Sequence, residues 1–167
     1  DKELHLITDY TQHLSSTIND FKNFFKVDKE QTTNTLEELT EKSLDIINTA
    51  IDSNEIEIIK SYSCGKNITL YSNEIQQVIL NILKNAEDVL VERNIKSKKI
   101  YISTYCDEKY ATLTINDNSG GIKEDIIDKI FDPYFSTKKN QEGTGLGLYM
   151  SKTIINEHCN GKLYVNN

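Results

Sequence analysis

The sequence predicts an α+β fold: a two-layer sandwich of helices on a mixed, mainly antiparallel sheet, preceded by one long helix. Three observations carry this. Ile75, Val78, Ile79, Ile82, Leu83, Ala86, Val89 and Leu90 form a wide apolar stripe at helical spacing. Two strand-like runs, 100–105 and 111–115, are joined by a short polar turn. Beyond the first helix the predicted order is αβ(β)αββααβ, which places helices on one face of the sheet. A chain of 167 residues suits one such domain and an appendage.

The first helix is predicted from Leu4 to about Lys26. Leu4, Ile7, Thr11, Leu14, Ile18, Phe21 and Phe25 alternate steps of three and four, the seam of a helix that packs on a partner helix in a hairpin or dimer. Residues 27–35 are polar and read as a linker, so the organisation is a partial dimerisation helix over 1–30 and a second domain over 31–167. A second helix starts at Thr35 with Glu38 completing a capping box, and ends near residues 52–54. Alternation over 56–62, the turn 64–67 and a short run 68–71 predict a hairpin edge. Ser72 and Asn73 are candidate caps for the striped helix. After the strand ending near Ile115, the expectations are a short helix over 124–130, an irregular segment over 132–142, a helix over 147–158 and a last strand over 162–165.

With 26 acidic against 19 basic residues the formal charge is -7, which argues against nucleic acid as a partner. Cys64, Cys106 and Cys159 are odd in number and widely spaced, so neither a disulfide framework nor a zinc site is expected and a reduced, cytoplasmic setting fits. No apolar run is long enough to span a bilayer, so membrane attachment is expected only through segments upstream. The chain starts at Asp1 without Met, as a fragment of a longer protein would.

Five of the seven glycines fall in two runs, Gly120-Gly121 and Gly143-Thr144-Gly145-Leu146-Gly147-Leu148, flanking the irregular segment. The second run opens a helix, whose N-H groups can face a phosphate; it is neither a Rossmann fingerprint nor a P-loop. Asp117 follows a strand and offers a carboxylate to a ligand donor. Asn81 and Asn85 are one turn apart on one face of the striped helix, and an amide oxygen suits Mg²⁺. Together these features indicate a nucleotide site.

Here the resemblance becomes specific. Asn81-Ile82-Leu83-Lys84-Asn85-Ala86 resembles the N box of bacterial sensor histidine kinases, and Asp117-Asn118-Ser119-Gly120-Gly121 their first glycine box. Phe131-Asp132-Pro133-Tyr134-Phe135 resembles the F box, and residues 143–148 the second glycine box, all in the family's order. Asn19-Asp20-Phe21-Lys22-Asn23-Phe24-Phe25 is similar to the end of the family's dimerisation hairpin. The resemblance implies the Bergerat ATP-binding fold with ATP and Mg²⁺. Asp117 would accept from the adenine amino group and Gly121 would let the ligand lie against the backbone. Asn85 would hold the metal with Asn81 beside it, and Gly143, Thr144, Gly145, Leu146, Gly147 and Leu148 would surround the phosphates. Residues 132–142 would be the lid, in which Lys138 or Lys139 can offset charge on the phosphates. Asp88 stands where some family members carry a phosphate-contacting basic residue.

The related ATP-hydrolysing members use a glutamate at the place of Asn81 as general base, which an amide cannot be. Transfer to a protein side chain is therefore expected. The family's acceptor histidine is followed by Glu or Asp, whereas Leu6 follows His5 and Leu14 follows His13, so no catalytic residue is assigned in this chain. His158 is read as a helix-end residue. The chain also stops before the family's closing strand. The implied partners are a second copy, through the hairpin, and the receiver domain of a response regulator. The competing expectation is a nucleotide-dependent switch, either a degenerate kinase or an anti-sigma-type protein, that transfers nothing.

Overall fold

The computed structural model describes Thr11, residues 30–138 and residues 143–167. Apart from Thr11, the predicted first helix and its heptad seam lie outside the described residues, as do His5, His13, residues 27–29 of the linker and Lys139.

The described elements are β1 (Thr32–Asn34), α1 (Leu36–Ser53), β2 (Ile56–Tyr62), β3 (Ile68–Leu70), α2 (Ser72–Glu92), β4 (Lys98–Cys106), β5 (Ala111–Asp117) and α3 (Gly147–Thr153). A π-helical turn, Ile154–His158, continues α3. Helix α1 starts as expected: the Thr35 hydroxyl accepts from Glu38 N while Glu38 returns a carboxylate oxygen to Thr35 N. It and α2 pack on the sheet through one core, in which Leu39, Leu83, Leu90 and Ile100 are fully buried. Thr40 and Ser43 are buried in α1, and each returns its hydroxyl to the carbonyl four residues back, so neither is left unsatisfied.

The main sheet has the order β2-β4-β5, with β2 parallel to β4 and β4 antiparallel to β5. The expected 56–71 hairpin does not form. Strand β3 instead pairs antiparallel with Thr32–Asn34, which are a strand rather than linker. A parallel neighbour for β2 requires a crossover, and α2 supplies it. Ser72 does not cap α2: its hydroxyl bonds Thr32 Oγ1 at 2.5 Å and accepts from Asn34 Nδ2 at 2.8 Å, tying β1 to the helix start.

Parallel pairing also carries Tyr62 to Thr104, so the chain just beyond β2 meets the end of β4. Cys64 and Cys106 form a disulfide there, with Cα atoms 4.7 Å apart, contrary to the cysteine reading from spacing. Their 42-residue separation hides a proximity that only the strand pairing creates.

Residues 124–130 make successive turns, not a helix; their bonds (Ile126 N to Lys123 O, Lys129 N to Ile126 O) reach back three residues. Only Ile130 of this run is buried, too little apolar surface to hold a helix on the core. The expected strand over 162–165 has no ladder among the described residues. Its segment is held instead by Leu163 N to Asn156 Oδ1 and by Asn167, whose amide bonds both backbone groups of Ile122. Among the described residues no helix is long and apolar enough to cross a membrane.

Candidate nucleotide-binding site

Helix α2 is the spine of the site. From Asn81 to Arg93 it spans about 18 Å at the usual rise per residue, and three segments distant in sequence are fastened along that length.

At the Asn81 end sits the second glycine run. Asn81 Nδ2 donates to Ser151 Oγ at 3.0 Å, and Ser151 donates to Gly147 O at 2.9 Å. Gly147 lies so close to the Asn81 amide that a Cβ there would overlap it. Gly145 is at φ 66° with its α-carbon against the backbone of Tyr134, itself at φ 66°, so the F-box and glycine-run backbones touch. Leu146 is buried and precedes α3, with its N-H given to Thr144 Oγ1 at 3.3 Å. Leu148 follows on α3 and is half-buried. Gly143 abuts Ser136 and Lys138. Lys152 on α3 lies 4.8 Å over the Phe131 ring, a further tie between the two motifs.

At the Arg93 end sits the first glycine run. Arg93 caps α2, and one guanidinium nitrogen donates to Ser119 O at 2.8 Å and Gly121 O at 3.1 Å. Asn118 locks this run to β4, accepting from Lys99 N at 2.8 Å and donating to Ser97 O at 2.7 Å. Asp117 ends β5 opposite Ile100. One of its oxygens accepts from Ser119 N at 2.8 Å; the other makes no hydrogen bond among the described residues and is available to a ligand donor. Gly121 adopts φ 78° beside Asn167.

Between the two ends lie Asn85 and Asp88. Asn85 is half-buried with its amide unbonded among the described residues. Asp88 is paired with Lys138 at 2.5 Å and with Lys84 at 3.0 Å. Burial pulls the Lys84 ammonium toward lower pKa, but its bonds to Glu87 and Asp88 prevail and hold it above the ordinary lysine value. Glu87 is buried and is satisfied by Lys84 and by Asn54 Nδ2 at 2.9 Å. A cavity of about 350 Å³ bordered by Ile47, Leu80, Asn81 and Met150 adjoins the Asn81 end from the α1 side. Neither Asp117 nor Asn85 lines it, so the site is read from the helix face and not from that cavity.

All the predicted site residues but those over 139–142 are thus brought to one helix. The sequence reading missed Arg93 and Ser151 and gave Asn118 no role of its own within its box; all three position the motifs without being part of the expected ligand set. A signal existed for Arg93: it is the sole arginine among 19 basic residues, at a helix end where a forked donor can gather two carbonyls. Ser151 carries the i+4 spacing from Gly147 that returns a hydroxyl to a helix carbonyl.

The family model for histidine kinase-, DNA gyrase B-, and HSP90-like ATPases matches residues 70–167, from the start of α2 through both glycine runs. The chain belongs to this family. Within it, AtoS, a signal transduction histidine-protein kinase of Escherichia coli (strain K12), is 46% identical over 86 residues, covering 50% of this chain and 13% of AtoS. The two-component sensor PprA of Pseudomonas aeruginosa is 36% identical over 87 residues, covering 50% of this chain and 9% of PprA. The chain therefore spans only a small part of the length of these relatives. The catalytic domain of histidine kinase ThkA superposes with a TM-score of 0.72 at 27% identity, over 83% of this chain and 88% of that domain. The mixed α+β architecture is that of histidine kinase catalytic domains, and this ATPase-family membership makes ATP the ligand of the fold.

Proposed function

We propose that this chain is the ATP-binding catalytic portion of a sensor histidine kinase. It binds Mg-ATP and delivers the γ-phosphoryl group to a histidine outside this chain, for relay to a response regulator. The observation that carries the reading is the fastening of both glycine runs to one helix: Arg93 holds the run that follows Asp117, and Asn81 holds the run ending at Gly147.

In this reading the open oxygen of Asp117 accepts from the adenine amino group, and the backbone at Gly121 lies along the base. The run from Gly143 to Leu148 surrounds the phosphates, with Thr144 ordering Leu146 N. The Asn85 amide, unbonded among the described residues, suits Mg²⁺, which when bound would shield the phosphate oxygens. Lys138 adds a cation. On transfer, the bond from the γ-phosphorus to the bridging oxygen breaks, a bond to the acceptor imidazole nitrogen forms and ADP leaves. Asn81 is spent on Ser151, and as an amide it activates no water, which favours transfer over hydrolysis.

The sequence assigns 1–30 to a partial dimerisation helix, the second of a hairpin, with its linker, and 31–167 to the catalytic domain with a lid over about 132–142. In this reading the parent protein is a homodimer through the hairpin with this portion in the cytoplasm, and any membrane attachment lies outside this portion. ThkA, also solved in complex with the response regulator protein TrrA, supports a receiver domain as the partner.

The test has two arms. Asp117→Asn places an amide donor before the purine donor and is expected to weaken ATP binding roughly 100-fold with the circular dichroism unchanged. Unchanged affinity puts the adenine elsewhere. The wild-type chain, mixed with Mg-ATP and a separately supplied acceptor hairpin, is expected to form acid-labile phosphohistidine. ATP binding without it would make the chain a nucleotide-dependent switch.

A further inference from the structure

Asp88 is a carboxylate at a place where a polyphosphate ligand should find only repulsion. Residues 81, 85 and 88 are spaced four and three apart and share one face of α2. Asn81 at the head of that row touches the glycine run, so the row borders the phosphate end of the site. At its foot, one Asp88 oxygen takes the Lys138 ammonium at 2.5 Å and the other lies 3.0 Å from Lys84.

Two features turn this arrangement toward an anion. Lys84 is shared between Asp88 and Glu87, so the two lysines and two carboxylates balance and a phosphate does not meet an uncompensated Asp88. Lys138 also has three N-H donors and gives only one to Asp88 among the described residues, so two remain for a ligand. The Lys138 side chain is 30% exposed and Asp88 28%, so the pair is sheltered yet reachable. A lysine on an irregular segment would otherwise sample many rotamers, and fixing it before the ligand arrives removes that entropic cost from binding.

We propose that Asp88 is a positioning residue that holds the Lys138 ammonium one helical turn from Asn85 to receive the phosphates of the nucleotide. The cation reaches in from the segment after the F box, and a carboxylate on α2 sets where it stands. This rests on the nucleotide reading above.

A double-mutant cycle tests it, with ATP and adenosine titrated calorimetrically in Mg²⁺ against the wild-type chain, Lys138→Ala, Asp88→Ala and the double variant. Each single substitution is expected to weaken ATP binding roughly tenfold. The double is expected to do no worse than either single, with adenosine affinity unchanged and Asp88→Glu recovering most of the loss. Should Asp88→Ala lower the unfolding temperature, Asp88→Asn replaces it and is expected to weaken ATP in the same sense. Tighter or unchanged ATP binding in the Asp88 variants makes Asp88 a competitor or a bystander and overturns the proposal, as do single losses that multiply in the double. Wild-type protein binding ATP no better than adenosine overturns it while leaving the base site standing. Binding of neither overturns the nucleotide reading as well.

Discussion

The two ends of α2 hold their glycine runs by different physics. At the Asn81 end the hold is close approach: Gly147 leaves no space for a Cβ beside the Asn81 amide, and Gly145 none beside the Tyr134 backbone. At the Arg93 end it is polar reach, one side chain collecting two backbone carbonyls across solvent-facing space. A packed contact fixes position steeply and tolerates no added atom, whereas hydrogen bonds to an exposed arginine fix it loosely and admit substitution at modest cost. The phosphate end should therefore be the rigid one and the base end the forgiving one.

The largest effect should come from the packed end. Gly145→Ala meets both a left-handed φ and a backbone neighbour, and is expected to cost roughly 2–5 kcal/mol in denaturant unfolding. Gly147→Ala meets only the Asn81 side chain and should cost about 1–3 kcal/mol. Adding Asn81→Ala should restore the stability of the Gly147 variant but not its ATP binding. No equivalent rescue should exist for Gly145, because the obstacle there is backbone.

Arg93→Ala removes both bonds at the other end and should cost only about 1 kcal/mol, with a loss of adenosine affinity. Arg93→Lys should recover part, since the ammonium keeps the charge and the donors but not the reach and planar geometry of the guanidinium. If Arg93→Ala proves as damaging as Gly147→Ala, the two ends do not differ as described.

The smallest effect is a control far from both ends. On α1, Glu41 is held by Lys60, opposed by burial and aided by Tyr62, so its carboxyl lies below the ordinary 4.5. Burial pushes Glu37 up, but the Thr104 hydroxyl and the N-H groups of Gly65 and Cys64 outweigh it and its carboxyl is also lowered. Depressed carboxyls stabilise the fold fully above about pH 4.5 and less as pH falls through their folded values. Because Lys60 and Glu41 are 38% and 45% exposed, the Glu41→Gln change should be below about 1 kcal/mol. It should flatten the acid limb of the stability curve without altering ATP affinity.

Legibility in the sequence followed the range of the interaction. The capping box at Thr35, the α2 stripe and the strand-like run over 100–105 depend on neighbours within a turn or along one strand, and all were readable. The 56–71 hairpin and the 124–130 helix misled because each had acceptable local chemistry and lost to a distant partner or to a lack of one. Ser72 had the chemistry of a cap and was used instead as a brace for β1.

What the sequence determined by itself is the identity of the chemical groups: an aspartate after a strand, two asparagines one turn apart and two glycine runs, which specify the family and the ligand class. What only the tertiary structure decided is how those groups are fastened. Arg93 on Ser119, Asn81 on Ser151, Lys138 on Asp88, and the Cys64–Cys106 bridge join residues 26, 70, 50 and 42 positions apart. Such pairings are written in no local pattern, because each depends on where the parallel crossover and α2 bring the chain after it has folded.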